Sequence, residues 1–131
     1  MRLRLAANIM LVILVAVILF HLLVITQFIP FKNVWGGRLK TVEEMYVFES
    51  VSLLINFFLI FITLQKANYI RPFLPGKVIT FSFWLFVVIF GLNTIGNLFA
   101  EQLIEKILGT LFTLLSTYLC WTIAKKRPEV A

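Results

Sequence analysis

The sequence predicts an all-α membrane protein, with four transmembrane helices in an antiparallel, up-down bundle and both termini in the cytoplasm. Three observations lead to this prediction. The chain of 131 residues is 61% hydrophobic and 14% charged, whereas soluble domains carry about 25% charged residues. Its apolar residues form four long stretches. Most of its cations lie before the first stretch, between the second and the third, and after the fourth. We expect one membrane domain over residues 1–131.

Each apolar stretch is long enough to cross a bilayer, because about 20 apolar helical residues span a hydrocarbon core of roughly 30 Å. A helix also satisfies its own backbone hydrogen bonds, which lipid cannot do. The predicted spans are residues 5–29, 45–64, 78–100 and 104–124.

The first span follows Arg2 and Arg4 and is expected to end near Ile29, because Pro30 lacks an amide donor and clashes with a continuing helix. Its apolar run is longer than the 7–15 or so residues typical of a signal peptide, and no small-residue cleavage pattern follows it. We therefore interpret it as a retained signal anchor.

The connections between the spans have recognisable turn and cap residues. Gly36 and Gly37 mark a turn in the longest loop, residues 31–44, and Thr41 with Glu44 has the spacing of a capping box for the second helix. The next loop is rich in proline and glycine. The last connection is so short that the third and fourth helices are expected to be antiparallel neighbours.

The fourth span has a stripe of small and weakly polar residues, which we interpret as a packing seam, since small residues let membrane helices approach closely. Cys120 belongs to this stripe and is the only cysteine, so an intrachain disulfide is excluded. The other members of the stripe are Gly109, Thr113, Ser116 and Thr117.

The distribution of charge predicts the orientation. Eight cations and one acid, Glu129, fall on the side of the termini, whereas the opposite side has four cations and four acids besides the intramembrane Glu49. Short loops rich in Lys and Arg stay cytoplasmic, so we expect N-in, C-in topology, in a bacterial plasma (inner) membrane. The net charge of +6 is explained by the lipid bilayer and its anionic headgroups, and no nucleic-acid partner is predicted. The eight cations are Arg2, Arg4, Lys66, Arg71, Lys77, Lys125, Lys126 and Arg127.

Five polar residues within the spans form the candidate ligand-binding site. With a helical rise of about 1.5 Å per residue, polar side chains from the first three helices fall in one slab of the outer half of the membrane. Polar groups at this depth usually face the interior of a bundle and mark functional sites. The five residues are His21, Glu49, Asn56, Asn93 and Asn97.

These residues suggest a protein that binds or transports a small molecule or ion. His21 and Glu49 would handle charge, because imidazole and carboxylate exchange protons near neutral pH, and the asparagines would orient the ligand. The turn from Trp35 to Arg38 would be a gating loop over the outer mouth. Four helices enclose little space, so transport would need a homo-oligomer.

Several alternatives remain open at this point. The asparagines could simply be interhelical hydrogen-bond partners, and Glu49 could pair with Arg38. The same polar residues could grip the helices of a partner in an accessory or assembly subunit. A membrane enzyme acting on a lipid or isoprenoid would use His21 and Glu49 as acid and base. One His and one Cys predict no His/Cys metal site, and the sequence identifies no cofactor.

Overall fold

The computed structural model describes residues 1–126. Within this range the four long elements are all α-helices, and no strand occurs. Each helix is long and apolar enough to cross a membrane by length and composition. Arg127 and Glu129, which belong to the predicted charge pattern, lie outside the described residues. The helices are α1 (Leu3–Ile25), α2 (Val42–Lys66), α3 (Gly76–Leu98) and α4 (Leu103–Lys125).

The first helix ends earlier than Ile29, so that predicted boundary is wrong. Thr26 is the C-cap of α1, and its hydroxyl donates to the carbonyl of Leu22 at 2.7 Å. Gln27 follows with a left-handed φ of 65°, which is the backbone conformation that commonly terminates a helix. Polar residues after Ile25 therefore end the helix before Pro30 is reached.

The start of α2 agrees with its predicted cap. The hydroxyl of Thr41 accepts a hydrogen bond from the Glu44 amide at 3.1 Å, which satisfies one of the unpaired donors of the first helical turn. The Glu44 carboxylate accepts from the backbone amide of Lys40 at 3.1 Å. Thr41 is therefore confirmed as the capping residue, while the side chain of Glu44 binds Lys40, the residue before Thr41.

The main core joins the N-terminal halves of α1 and α3 to the C-terminal halves of α2 and α4. Met10, Leu59, Phe83 and Leu119, one from each helix, are completely buried there. In lipid such contacts stabilise helix association through close packing. We call the end of the bundle that contains this core and the C-terminus of α2 the Lys66 end.

A smaller cluster lies around the other ends of α1 and α2, which we call the Glu49 end. It consists of Val24 from α1, Val34 and Leu39 from the following loop, and Met45 from α2. The loop between α1 and α2 contains two 3₁₀ turns, Phe31–Asn33 and Trp35–Gly37. The loop therefore packs against the ends of both helices and is positioned by buried residues.

The helices α3 and α4 are buried on only one half of their length. The buried residues of α3 all lie between Ile79 and Phe86, and those of α4 between Ser116 and Ala124. These two helices pack extensively against each other, whereas α2 has little contact with α3. Toward the Glu49 end, α3 and α4 therefore leave most of their surface uncovered by the rest of the chain.

Candidate functional site

A buried carboxylate with two side-chain partners is the centre of the Glu49 end. Glu49 has no solvent-exposed surface. Its Oε2 is hydrogen-bonded to Nδ1 of His21 at 2.5 Å, and its Oε1 accepts a hydrogen bond from Nε1 of Trp35 at 2.8 Å. Buried polar groups are costly unless hydrogen-bonded, and here each carboxylate oxygen has one partner. The contact joins α1, α2 and the intervening loop.

Trp35 makes its contact from an unusual backbone conformation. Its φ is +56°, a left-handed value that is rare for a bulky residue and costs of order 1–3 kcal/mol. The bond to Glu49 and the packing of the indole against Phe48, with ring centroids 5.3 Å apart, offset this cost. Strained residues of this kind cluster at ligand clamps and switches.

A cavity of about 300 Å³ lies beside Trp35. It is lined by the rings of Trp35 and Phe48 together with Leu39, Arg38 and Glu44. It therefore combines aromatic surface with one cation and one acid. The indole of Trp35 contacts both this cavity and the Glu49 carboxylate, so a movement of this one side chain would connect the two.

The predicted polar site is only partly assembled. The structure brings His21 and Glu49 together, but Asn93 is exposed and makes no hydrogen bond to the residues described. Asn56 donates to the carbonyl of Ser52 on its own helix at 2.7 Å. The predicted convergence of five polar side chains therefore reduces to one direct contact. Ligand binding by any of them stays a prediction.

Asn97 belongs to a contact between α3 and α4. Its amide donates to the hydroxyl of Thr113 at 3.3 Å, and that hydroxyl also contacts the hydroxyl of Thr94 at 2.9 Å. A Cβ on Gly109 would approach the Asn97 side chain to 2.9 Å, so the glycine makes room for the amide. Asn97 thus makes an interhelical contact of the kind that was the alternative to ligand binding, and ligand binding by Asn97 stays a prediction.

The sequence left open that Glu49 pairs with Arg38, and the structure shows other partners. Arg38 does not pair with Glu49; it is exposed and lines the cavity beside Trp35. Trp35, predicted as part of a gating loop, donates a hydrogen bond to the carboxylate. A buried carboxylate requires hydrogen-bond donors. Trp35 has the indole nearest to Glu49 in the sequence, and it could have been considered as a donor for that reason.

Clusters of metal-ligating side chains are absent from the part of the chain that the structure describes. No three His, Cys, Asp or Glu side chains of residues 1–126 lie close enough together to hold a metal ion. Comparisons of the chain with protein-family models, curated proteins and solved structures found no match. The chemistry of this site is therefore inferred from its own geometry.

The two members of the His21–Glu49 pair differ in their exposure. Glu49 is fully buried, whereas the side chain of His21 is 12% exposed. The ring nitrogen Nε2 of His21 has no hydrogen bond to residues 1–126. His21 is therefore the member of the pair that reaches the surface of the chain, while Glu49 stays enclosed.

Proposed function

We propose that this chain is a small integral membrane protein that binds a small cation at the Glu49 end and exchanges it for a proton. The supporting observation is the fully buried carboxylate of Glu49 held between His21 and Trp35. The four apolar helices support the membrane location. Transport of the cation would require an oligomer, because the interior of one bundle is small.

The charge balance of the pair supports a cationic ligand. With one proton shared between them, the imidazole and the carboxylate are neutral overall, which suits an apolar environment. Loss of that proton would leave a buried negative charge with Trp35 as its donor. A small cation or protonated amine restores neutrality by taking the place of the proton, so one cation enters as one proton leaves.

Trp35 is the proposed gate between this carboxylate and the adjoining cavity. Its indole N–H occupies Glu49 Oε1, the oxygen that an incoming cation would use. Its strained backbone and its position beside the 300 Å³ cavity are consistent with a side chain that moves on binding. The enclosure of Glu49 makes direct access by a lipid substrate difficult, so we favour binding over acid–base catalysis.

We propose in addition that successive helices run in opposite directions and that both termini are cytoplasmic. The main core, which joins opposite halves of consecutive helices, supports the first statement. The cations near the termini and between α2 and α3 support the second.

Proton release tests the proposed exchange. Sodium chloride or methylammonium chloride is added to the purified full-length protein in detergent, in weakly buffered solution near neutral pH, and a pH indicator records the release. We expect the wild type to release up to about one proton per chain. Glu49→Gln keeps the shape and the acceptor for Trp35 but removes the charge, so it should release none.

The matched control is Glu43→Gln, which removes an exposed acid from the first turn of the same helix. It should release protons as the wild type does. Equal release from the wild type and Glu49→Gln would contradict the proposal, as would a wild type that releases no proton with either cation.

An accessory subunit is the second candidate, and Asn93 favours it. This amide is exposed on an apolar helix, where lipid offers no hydrogen-bond partner, while another helix could supply one. In this case Asn93→Leu would weaken an assembly recovered from the native membrane, and Glu49→Gln would change stability without changing proton release.

A further inference from the structure

A second and larger cavity, of about 530 Å³, lies at the Lys66 end of the bundle. It is formed where α2 ends, α3 begins and α4 ends. Four lysines line it, namely Lys66 from α2, Lys77 from α3, and Lys125 and Lys126 at the end of α4. The site described above uses none of these residues.

Lys66 is the deepest of these cations and is only 4% exposed. Its ammonium group donates to the hydroxyl of Thr80 at 3.3 Å, although an ammonium group can donate three hydrogen bonds. A buried charge is strongly unfavourable unless it is paired. Lys66 therefore has both charge and donor capacity for an anion.

No acidic side chain of the described residues lines this cavity. The acids of residues 1–126 lie on α2 near its start, on the α3–α4 connection and at the start of α4. Lys125 places its ammonium 3.6 Å from the ring centroid of Trp121, a contact that holds the lysine but leaves its charge in place. The part of the cavity wall formed by residues 1–126 is consequently electropositive.

The first turn of α3 adds backbone donors to the same cavity. Gly76 and Lys77 begin this helix and line the cavity, and the N-cap Pro75 makes no side-chain hydrogen bond to the turn. A Cβ on Gly76 would meet no atom within 4 Å, so the backbone is open to approach. The positive end of a helix favours anions, and its free amides bind phosphate oxygens.

The loop that forms one wall is held in place before any ligand arrives. The side-chain amide of Gln65 donates to the carbonyl of Leu74 at 2.9 Å, and its oxygen accepts from the Leu74 amide at 3.3 Å. The hydroxyl of Tyr69 donates to Asn8 of α1 at 2.6 Å. These contacts preorganise the cavity, which lowers the entropic cost of binding.

We propose that the Lys66 cavity binds a phosphate group, with Lys66 as the innermost cation and Lys77 and the first turn of α3 as further donors. The position at one end of four apolar helices makes the phosphate of an anionic lipid headgroup the favoured source, since basic pockets between membrane helices recognise such headgroups. A soluble phosphate ion has the same recognition chemistry. The inference is independent of proton exchange at Glu49.

Lipid selectivity tests the proposal on the full chain. The protein is reconstituted in nanodiscs of phosphatidylglycerol and phosphatidylcholine in equal amounts, and the lipid retained after transfer to detergent is measured by native mass spectrometry. We expect the wild type to retain phosphatidylglycerol preferentially. Lys66→Gln should reduce this preference about tenfold, as expected for the loss of one charge-assisted hydrogen bond.

Two further variants keep the result interpretable. Lys77→Gln changes an exposed cavity residue, so it should fold even if Lys66→Gln does not, and it should also reduce the preference. Lys106→Gln removes an equal charge from an exposed position near the start of α4 and should leave the preference unchanged. If Lys66→Gln and Lys77→Gln both retain the wild-type preference, the site is not in this cavity. The same follows if Lys106→Gln lowers the preference as much as they do.

A second arm distinguishes the two sources of phosphate. Delipidated protein in detergent is heated with inorganic phosphate, with phosphatidylglycerol, or with sodium chloride at the ionic strength of the phosphate. A rise in Tm with phosphate that is lost in Lys66→Gln identifies a soluble phosphate as ligand, whereas a rise only with phosphatidylglycerol identifies the lipid. Failure of both probes to stabilise the wild type would overturn the proposal.

Discussion

Glu49 and Lys66 are the two buried charged side chains of the described residues, and their environments differ. Glu49 has one partner on each oxygen, from His21 and Trp35. Lys66 has one hydroxyl partner, Thr80. The first environment is satisfied within the chain and links three segments of it, whereas residues 1–126 leave donors of Lys66 unused. This difference is the basis for the gated site proposed at Glu49 and the open anion site proposed at Lys66.

The hydrogen bond from Trp35 should have a measurable effect on stability. Trp35→Phe keeps an aromatic ring beside Phe48 but removes the donor to Glu49, leaving a buried carboxylate oxygen without its partner. We expect the free energy of unfolding in detergent to fall by about 1–3 kcal/mol. Chemical denaturation followed by circular dichroism measures the change.

Trp84→Phe is the matched control, since the Trp84 side chain is 40% exposed. Its effect should stay within about 0.5 kcal/mol. If both substitutions cost the same, the indole of Trp35 does not stabilise Glu49, and its role as a gate loses its basis.

The residue-scale features were predicted unevenly. The sequence identified His21 and Glu49 because polar groups are conspicuous in apolar stretches. It did not identify Trp35 as their partner, because its indole reaches Glu49 only through the left-handed turn of the loop. The burial of Lys66 was likewise missed, since a lysine at a span end usually extends toward water.

At the scale of the elements, the four helices were predictable and one of their ends was not. Long apolar stretches require helices in lipid, and the cap residue Thr41 was recognisable by its spacing from Glu44. The end of α1 depended on a local choice: Thr26 and Gln27 cap the helix before Pro30 can terminate it. The end of a helix is therefore set by local capping residues as well as by the length of its apolar stretch.

The contact between α3 and α4 predicts opposite effects for two glycines. Ala in place of Gly raises helix propensity by about 1 kcal/mol. A Cβ on Gly109 would lie 2.9 Å from Asn97, whereas one on Gly96 would meet nothing within 4 Å. Gly96→Ala should therefore raise the Tm in detergent. Gly109→Ala should lower it, by a net cost of about 1 kcal/mol from overpacking.

The double variant Asn97→Ala, Gly109→Ala tests the stated cause. Removing the Asn97 amide removes the clash, so part of the lost stability should return despite the loss of the bond to Thr113. A Gly109→Ala protein as stable as Gly96→Ala would show that Asn97 can turn away without cost. The packing role assigned to Asn97 would then be wrong.

At the scale of the whole molecule, burial is concentrated at the Lys66 end. The main core occupies that end, and the Glu49 end is closed only by α1, α2 and their loop. The sequence could not reveal this asymmetry, because the apolar faces of α3 look the same whether they contact lipid or another helix. The uncovered halves of α3 and α4 leave room for a second copy or a partner helix around the proposed cation site.

The charge distribution of the chain predicts its orientation in the membrane. On a Cys120→Ser background, single cysteines replace Lys40, Lys77, Lys106 and Lys126, all of which are exposed. A maleimide that cannot cross membranes is then added to intact cells. We expect labelling at positions 40 and 106 and protection at 77 and 126, because short Lys- and Arg-rich segments stay cytoplasmic.

The four positions together test more than the side on which the termini lie. Protection at 40 with labelling at 126 would reverse the orientation and move the Lys66 cavity to the outer leaflet. Labelling that differs between 40 and 106, or between 77 and 126, would contradict four alternating spans altogether. The lipid selectivity of the Lys66 cavity in nanodiscs does not depend on orientation, so a reversed topology would leave that test intact. Agreement at all four positions would place the proposed cation site on the outer side and the phosphate site on the cytoplasmic side.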